Sequence, residues 1–119
     1  MEESNLLSIL RHCCLKFPEV RETVKWGHPT FEAGKKMFAV LDQYDGRVCI
    51  AFRTTPKKHV DLLKDKRYFN SPYGTKNGWI CLDTSEKINK KEVHCLLLES
   101  YRLVALKRML VALDDRGRT

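Results

Sequence analysis

The sequence predicts an α+β fold, an antiparallel β-sheet packed by an N-terminal and a long C-terminal helix, and three observations carry that expectation. Apolar residues recur at helical spacing at both ends, as Leu6, Leu10, Cys13, Cys14 and Phe17 and again as Leu96, Leu103, Leu106, Leu110 and Leu113. Between them the period falls to two, in segments rich in β-branched and aromatic residues separated by turn formers. The 119 residues, 43% of them hydrophobic, suffice for one core and hence for one domain over 1–119.

Ser4 is placed to cap the first helix, and Phe17-Pro18 ends it, because proline disfavours the helical conformation in the residue before it. Segments 24–26, 30–32, 37–42 and 47–53 then read as four strands of an antiparallel meander. Asp45-Gly46 marks a hairpin, since both residues tolerate the positive backbone angles of tight turns, and Ala33-Gly34-Lys35 marks a second turn. Thr55-Pro56 supplies a cap and a first-turn proline for a helix that ends near Lys66. Lys57 and Lys58 occupy its first turn, where the helix dipole disfavours cations but an anion would be welcome. Residues 79–83 alternate as a further strand. Asn89-Lys90-Lys91-Glu92 has the form of a capping box opening the final helix, in which Ser100 reads as a small residue for close packing.

The net charge of +7 is unevenly spread. Residues 33–82 carry ten Lys or Arg against four Asp, whereas residues 1–32 carry four against five Glu, so the positive potential belongs to the middle of the chain. Within that middle lies the aromatic, glycine-punctuated run from Tyr68 to Trp79, which joins flat ring faces to positive charge as nucleic-acid surfaces do. No apolar run approaches the roughly 20 residues that cross a bilayer, and the N-terminus is acidic where a secretory signal would be basic, so a cytoplasmic protein without a membrane partner is expected. Five cysteines stand at positions suited to apolar residues, without a C-x-x-C pair. Reduced core thiols are therefore expected, and His12, Cys13, Cys14, His94 and Cys95 match no closed metal pattern.

Catalysis needs a nucleophile, a base and an orienting group, and the candidates are scattered along the chain. His28, within Trp26-Gly27-His28-Pro29-Thr30 in an apparent turn, is the one residue placed in a compact polar and aromatic motif. No phosphate-binding glycine loop, H-E-x-x-H or G-x-S-x-G element occurs, so no enzyme, catalytic residue, cofactor or metal is assigned.

Several separate motifs occur in an order that resembles the MmcQ/YjbR family of small bacterial proteins, described as having a double-wing DNA-binding fold. They are Trp26-Gly27-His28-Pro29-Thr30-Phe31, Lys36-Met37-Phe38-Ala39, Arg67-Tyr68-Phe69, Pro72-Tyr73-Gly74, Gly78-Trp79 and Glu99-Ser100-Tyr101-Arg102-Leu103-Val104-Ala105. The resemblance runs from Phe17 to Arg108 and implies an antiparallel sheet packed by helices, and DNA binding. Lys76 and Trp79 match a lysine and tryptophan pair of the family. Its final helix often ends near a proline ahead of a lysine-arginine pair; Leu106 precedes Lys107 and Arg108 here, which predicts a helix that runs on.

Two functions follow as expectations. The first is a non-enzymatic DNA-binding protein of modest sequence specificity. In it Lys35, Lys36, Arg47, Arg53, Lys57, Lys58 and Lys76 meet phosphates, and Tyr73 or Trp79 adds a stacking or groove contact. The alternative is a small-molecule or partner-protein binding domain with an aromatic pocket between sheet and helix, lined by Trp26, His28, Phe31 and Tyr101 together with Tyr73 and Trp79.

Overall fold

Short-range signals build most of the elements. The computed structural model describes residues 3–44, 46–71 and 78–117, apart from the side chain of Glu3. Along the described residues run α1 (Glu3–Cys14), β1 (Val20–Lys25), β2 (His28–Ala33), β3 (Lys36–Tyr44), β4 (Arg47–Arg53), α2 (Pro56–Leu62), β5 (Tyr68–Asn70), β6 (Trp79–Asp83), α3 (Lys90–Val104) and α4 (Lys107–Gly117). The strands form one sheet in the order β1-β2-β3-β4-β6-β5, each neighbour antiparallel to the next. The fold is α+β, as the periodicities predict. None of the described helices is long and apolar enough to cross a membrane.

One face of the sheet carries the main core. Phe31, Phe38, Leu41, Ile50, Phe52, Ile80 and Leu82 meet Leu6, Leu10 and Cys14 of α1, Val93, Leu97 and Tyr101 of α3, and Met109 of α4. The period-two alternation puts every second strand residue into this layer. A β-bulge interrupts it on β3, where Phe31 pairs with Ala39 but Glu32 with Met37, so that Phe38 and Ala39 both enter the core.

The bulge explains Ser100. Its hydroxyl donates to the Phe38 carbonyl at 2.8 Å and accepts the Arg53 N–H at 2.9 Å, beyond the last β3–β4 pair, Ala39 with Phe52. It is more than a small packing residue, because it closes the end of the ladder from above. Next to it, the buried Tyr101 donates its hydroxyl to the Pro18 carbonyl at 2.7 Å.

The caps form in part as expected. Thr55 accepts the Lys58 N–H at 3.2 Å, and Asn89 accepts those of Lys91 and Glu92 at 2.9 and 3.1 Å. Glu92 does not complete the capping box; its carboxylate takes Arg67 at 2.9 and 3.2 Å and the Tyr68 hydroxyl instead. The first helix includes Ser4, whose carbonyl accepts from Ser8.

Four boundaries differ from expectation. The first strand begins at Val20, four residues early, and His28-Pro29 belongs to β2, the turn being Trp26-Gly27. Tyr68–Asn70 is an edge strand paired with β6. The C-terminal helix does not run on through Leu106: Ala105 is extended, with φ −66° and ψ 145°, and α4 starts at Lys107. The break brings Met109 into the core, so close to Gly34 that a Cβ there would lie 2.9 Å from the Met109 Cε. Leu103 and Leu106, members of the expected apolar stripe, are about half exposed. Of the five cysteines, Cys95 is exposed and the other four are buried and reduced.

Candidate functional site

The helices pack on one side, which leaves the other face of the sheet to itself. There Cys49, Ala51, Trp79 and Cys81 form a second, smaller buried cluster, with Met37, Val40, Tyr44 and Phe69 against it. The face holds a groove of about 680 Å³ that runs from the β1–β2 turn across β3 to Trp79 and Ser71.

One rim is the β1–β2 hairpin. Lys25 pairs with His28, so Trp26-Gly27 is a two-residue loop, and φ is positive at both, +51° and +80°. This is the turn geometry whose twist suits a hairpin, and glycine adopts it freely. A bulky side chain does not, and positive φ at tryptophan is a genuine outlier. The indole gains no cover in return, being 87% exposed. A strained and uncovered tryptophan at the lip of a groove serves contact with something else better than it serves the fold.

The polar wall stands beside it. Asp42 is 7% exposed and accepts from the Gln43 N–H at 2.8 Å, from the Tyr44 hydroxyl at 2.7 Å, and faces the His28 Nε2 at 3.3 Å. Burial, and then the Asp42 carboxylate to which it donates, raise the Tyr44 phenol far above its ordinary pKa, so it stays a donor. Glu32, also buried, accepts from Thr23 at 2.8 Å and lies 4.0 Å from the Lys25 ammonium. The floor is apolar. Arg53 stacks over Trp79 at 5.2 Å and donates to the Met37 carbonyl at 3.0 Å, so its charge braces the floor. Below, the Cys81 thiol to which Cys49 hydrogen bonds, together with burial, holds Cys49 far above the range in which it would ionise.

At the end of the sheet opposite the Trp26 turn lies a second hollow of about 710 Å³, around the β2–β3 turn and the start of α4. Arg21, Lys35 and Lys36 line it, and among the described residues none has a carboxylate partner. Arg108 is there too, holding Glu19 bidentately at 2.8 and 2.9 Å, which neutralises the one acid of the hollow. Among the described residues no group of three or more His, Cys, Asp or Glu is arranged to hold a metal.

The YjbR family model matches residues 15–103, about three quarters of the chain and all six strands of this sheet. The chain belongs to the YjbR family. The YjbR fold recurs in the crystal structure of the Deinococcus radiodurans protein DR2400, a DUF419 domain, with a TM-score of 0.74 at 19% identity over 91% of this chain and 87% of that one. A Pseudomonas syringae protein matches with a TM-score of 0.66 at 18% identity, over 87% of this chain and 98% of its own. A Bacillus subtilis protein of the DUF1801 family gives 0.52 at 14% identity, over 84% and 73%. These likenesses are of fold. No curated protein matches the chain.

On this YjbR scaffold the residues singled out from sequence separate into groups. Lys35 and Lys36 join the basic hollow, and Lys57 and Lys58 follow on α2, which starts three residues past Arg53, with Lys58 4.0 Å from Glu99. Arg47 sits at the other end of its strand, 3.4 Å from Asp83 and over the Phe69 ring. Trp79 is buried in the groove floor, 8% exposed. Tyr73 and Lys76 lie outside the described residues. Trp26 and His28 do line a pocket, but on the helix-free face, not between sheet and helix. Phe31 and Tyr101 are fully buried in the helical core, because Phe31 follows Thr30 on a strand and neighbours point to opposite faces. Sequence reasoning missed Arg21, Lys25, Asp42 and Tyr44; the alternation of Val40, Asp42 and Tyr44 along β3 was the signal that could have found the last two.

Proposed function

We propose that this YjbR-family chain is a non-enzymatic binding protein for duplex DNA, gripping the phosphate backbone at the basic end of its sheet. The observation that carries the reading is the trio Arg21, Lys35 and Lys36, which surrounds one hollow without a carboxylate partner among the described residues. Lys57, exposed on α2 beyond the same ends of β3 and β4, extends the patch. Cations left unpaired in the free protein have no ion pair to break on meeting phosphates, and they release the counterions of the duplex when they do. Arg47 and Arg53 are occupied within the fold and take no direct part. No described helix offers base-reading side chains to a groove, and phosphate contacts carry no sequence information, so specificity is modest.

The test is fluorescence anisotropy of a labelled random-sequence duplex at two salt concentrations. With four phosphate contacts the affinity falls about a hundredfold between ~50 and ~200 mM salt. An Arg21→Ala/Lys35→Ala/Lys36→Ala variant loses most of the affinity and flattens the salt dependence, whereas Arg47→Ala changes neither. A lack of binding at low salt, or an affinity indifferent to salt, would sink the reading.

A further inference from the structure

We infer that the groove on the helix-free face is a separate site for a free small molecule, a flat aromatic acid of one or two fused rings. Its lining shares no residue with the basic hollow, so the inference stands apart from the DNA reading. The volume, about 680 Å³, falls in the range of ligand pockets, and the walls have the usual make-up of such sites, apolar with a few convergent polar groups. Flat surfaces bracket it: Trp26 stands at the lip, Trp79 in the floor, and Met37, Val40 and Ala51 lie between them. These accept a ring face and offer little to a chain of hydroxyls.

The charge on the ligand follows from which polar groups are already spent. Both oxygens of Asp42 are occupied, by the Gln43 N–H and His28 on one and by the Tyr44 hydroxyl on the other. Glu32, whose Oε1 takes Thr23, does not line the groove. The cation that remains toward the cavity is the Lys25 ammonium, whose nearest acid among the described residues is as far as 4.0 Å, and the His28 ring lies in the same lining with its Nε2 toward Asp42. A carboxylate on the ligand meets the Lys25 ammonium, while the one acid in the lining, Asp42, already has a partner on each oxygen. Trp26 completes the case, because a tryptophan held at positive φ with its indole in water is explained once a ring stacks on it.

The chain has two tryptophans and both line this groove, so their indole N–H signals in a two-dimensional NMR spectrum report its occupancy directly. The probes are 2-naphthoate and its neutral counterpart 2-naphthamide, titrated into the full chain, with calorimetry giving the affinities. The expected result is that 2-naphthoate shifts both indole signals and that 2-naphthamide binds about tenfold more weakly. Trp26→Ala and Lys25→Ala each weaken naphthoate by about tenfold, a difference of roughly 1.4 kcal/mol. Both substitutions sit on the exposed hairpin, and duplex affinity stays unchanged in each. Indole signals that do not move at about 1 mM naphthoate, an affinity weaker than ~4 kcal/mol, overturn the site. Displacement of naphthoate by duplex DNA overturns it as well, since the groove would then belong to the nucleic acid. Loss of DNA binding in the Arg21/Lys35/Lys36 variant with naphthoate binding intact would leave this inference standing by itself.

Discussion

The two faces of the sheet are built from the same strands and in the same rhythm, yet they are finished differently. On the helical face the large rings close on one another, Phe17 on Tyr101 at 4.9 Å and Phe38 on Tyr101 at 5.7 Å, and the buried hydroxyls of Ser100 and Tyr101 are spent on backbone groups. On the other face the same alternation delivers an acid, a histidine, a phenol and one indole to a cavity, and the β1–β2 turn adds the second indole. No buried side-chain polar atom lacks a partner among the described residues, so both faces are satisfied. The difference lies in what surrounds the polar groups. One face spends its residues on the stability of the chain, and the other keeps a concave surface whose side chains meet solvent.

Adjacent residues on β3 provide the largest contrast. Phe38→Ala removes a fully buried ring from the helical core and is expected to cost about 3–5 kcal/mol. Met37→Ala, one residue away but half-buried in the groove floor, is expected to cost no more than about 1 kcal/mol, half the apolar burial of a methionine. Urea denaturation of both variants decides it, and similar losses would mean that the second face is a core of equal weight.

Ser100→Ala follows in size. It strips the Arg53 N–H and the Phe38 carbonyl of their shared partner at the bulge, and stranding buried polar groups costs about 1–3 kcal/mol. A glycine-like tolerance at this position, with no loss of stability, would reduce Ser100 to the small packing residue its sequence context implies.

Much of the helical face was legible because its signals are local. The α1 stripe, the Thr55-Pro56 start and the Asn89 cap each depend on residues within a turn of one another. The β5 strand was not legible: three residues carry no period, and their pairing with β6 is a contact across the chain. Nor was the break at Ala105, where neither proline nor glycine stands to mark it and beyond which Met109 is buried close to Gly34. The site was half legible. Trp26 and His28 stood out as an unusual pair, but grouping them with Phe31 treated a motif as a patch, and on a strand adjacent residues part to opposite faces. Asp42 looked like one more strand acid until the fold set His28 beside it.

Acid sharpens the comparison again, because the ion pairs that tie helices to the sheet and its loops lie on the helical side. Arg11 of α1 holds Glu22 at 2.6 and 2.8 Å, and Arg108 of α4 holds Glu19. Arg67 holds Asp65 and reaches Glu92 of α3. Hydrogen bonds from these arginines lower the carboxyls of Glu22, Glu19 and Asp65 below their ordinary values. A carboxyl lowered on folding contributes stability that is present above its unfolded value, 4.5 for Glu and 3.8 for Asp, and is lost as pH falls through its folded value. The denaturation midpoint is therefore expected to hold between pH 7 and 5 and to fall below about pH 4. Arg11→Ala should lower it at pH 7 and converge with the wild type in acid, and a constant gap between the two curves would remove Glu22 from the account.

The smallest effect runs in the opposite direction. Trp26 occupies a left-handed position that asparagine fills readily, and Asn-Gly is the pair this two-residue turn favours. Trp26→Asn is expected to raise stability by up to about 1 kcal/mol, the order of the strain a bulky residue bears there. Its indole is 87% exposed, so removing it forfeits little buried area in exchange. The same change should weaken 2-naphthoate about tenfold, as Trp26→Ala does, which separates a residue kept for contact from one kept for the fold. If Trp26→Asn instead destabilises the chain by a comparable amount, the indole packs in solution against the sheet it overhangs. The helix-free face would then hold itself closed as the other face does, and the contrast between the two would shrink to the presence or absence of helices.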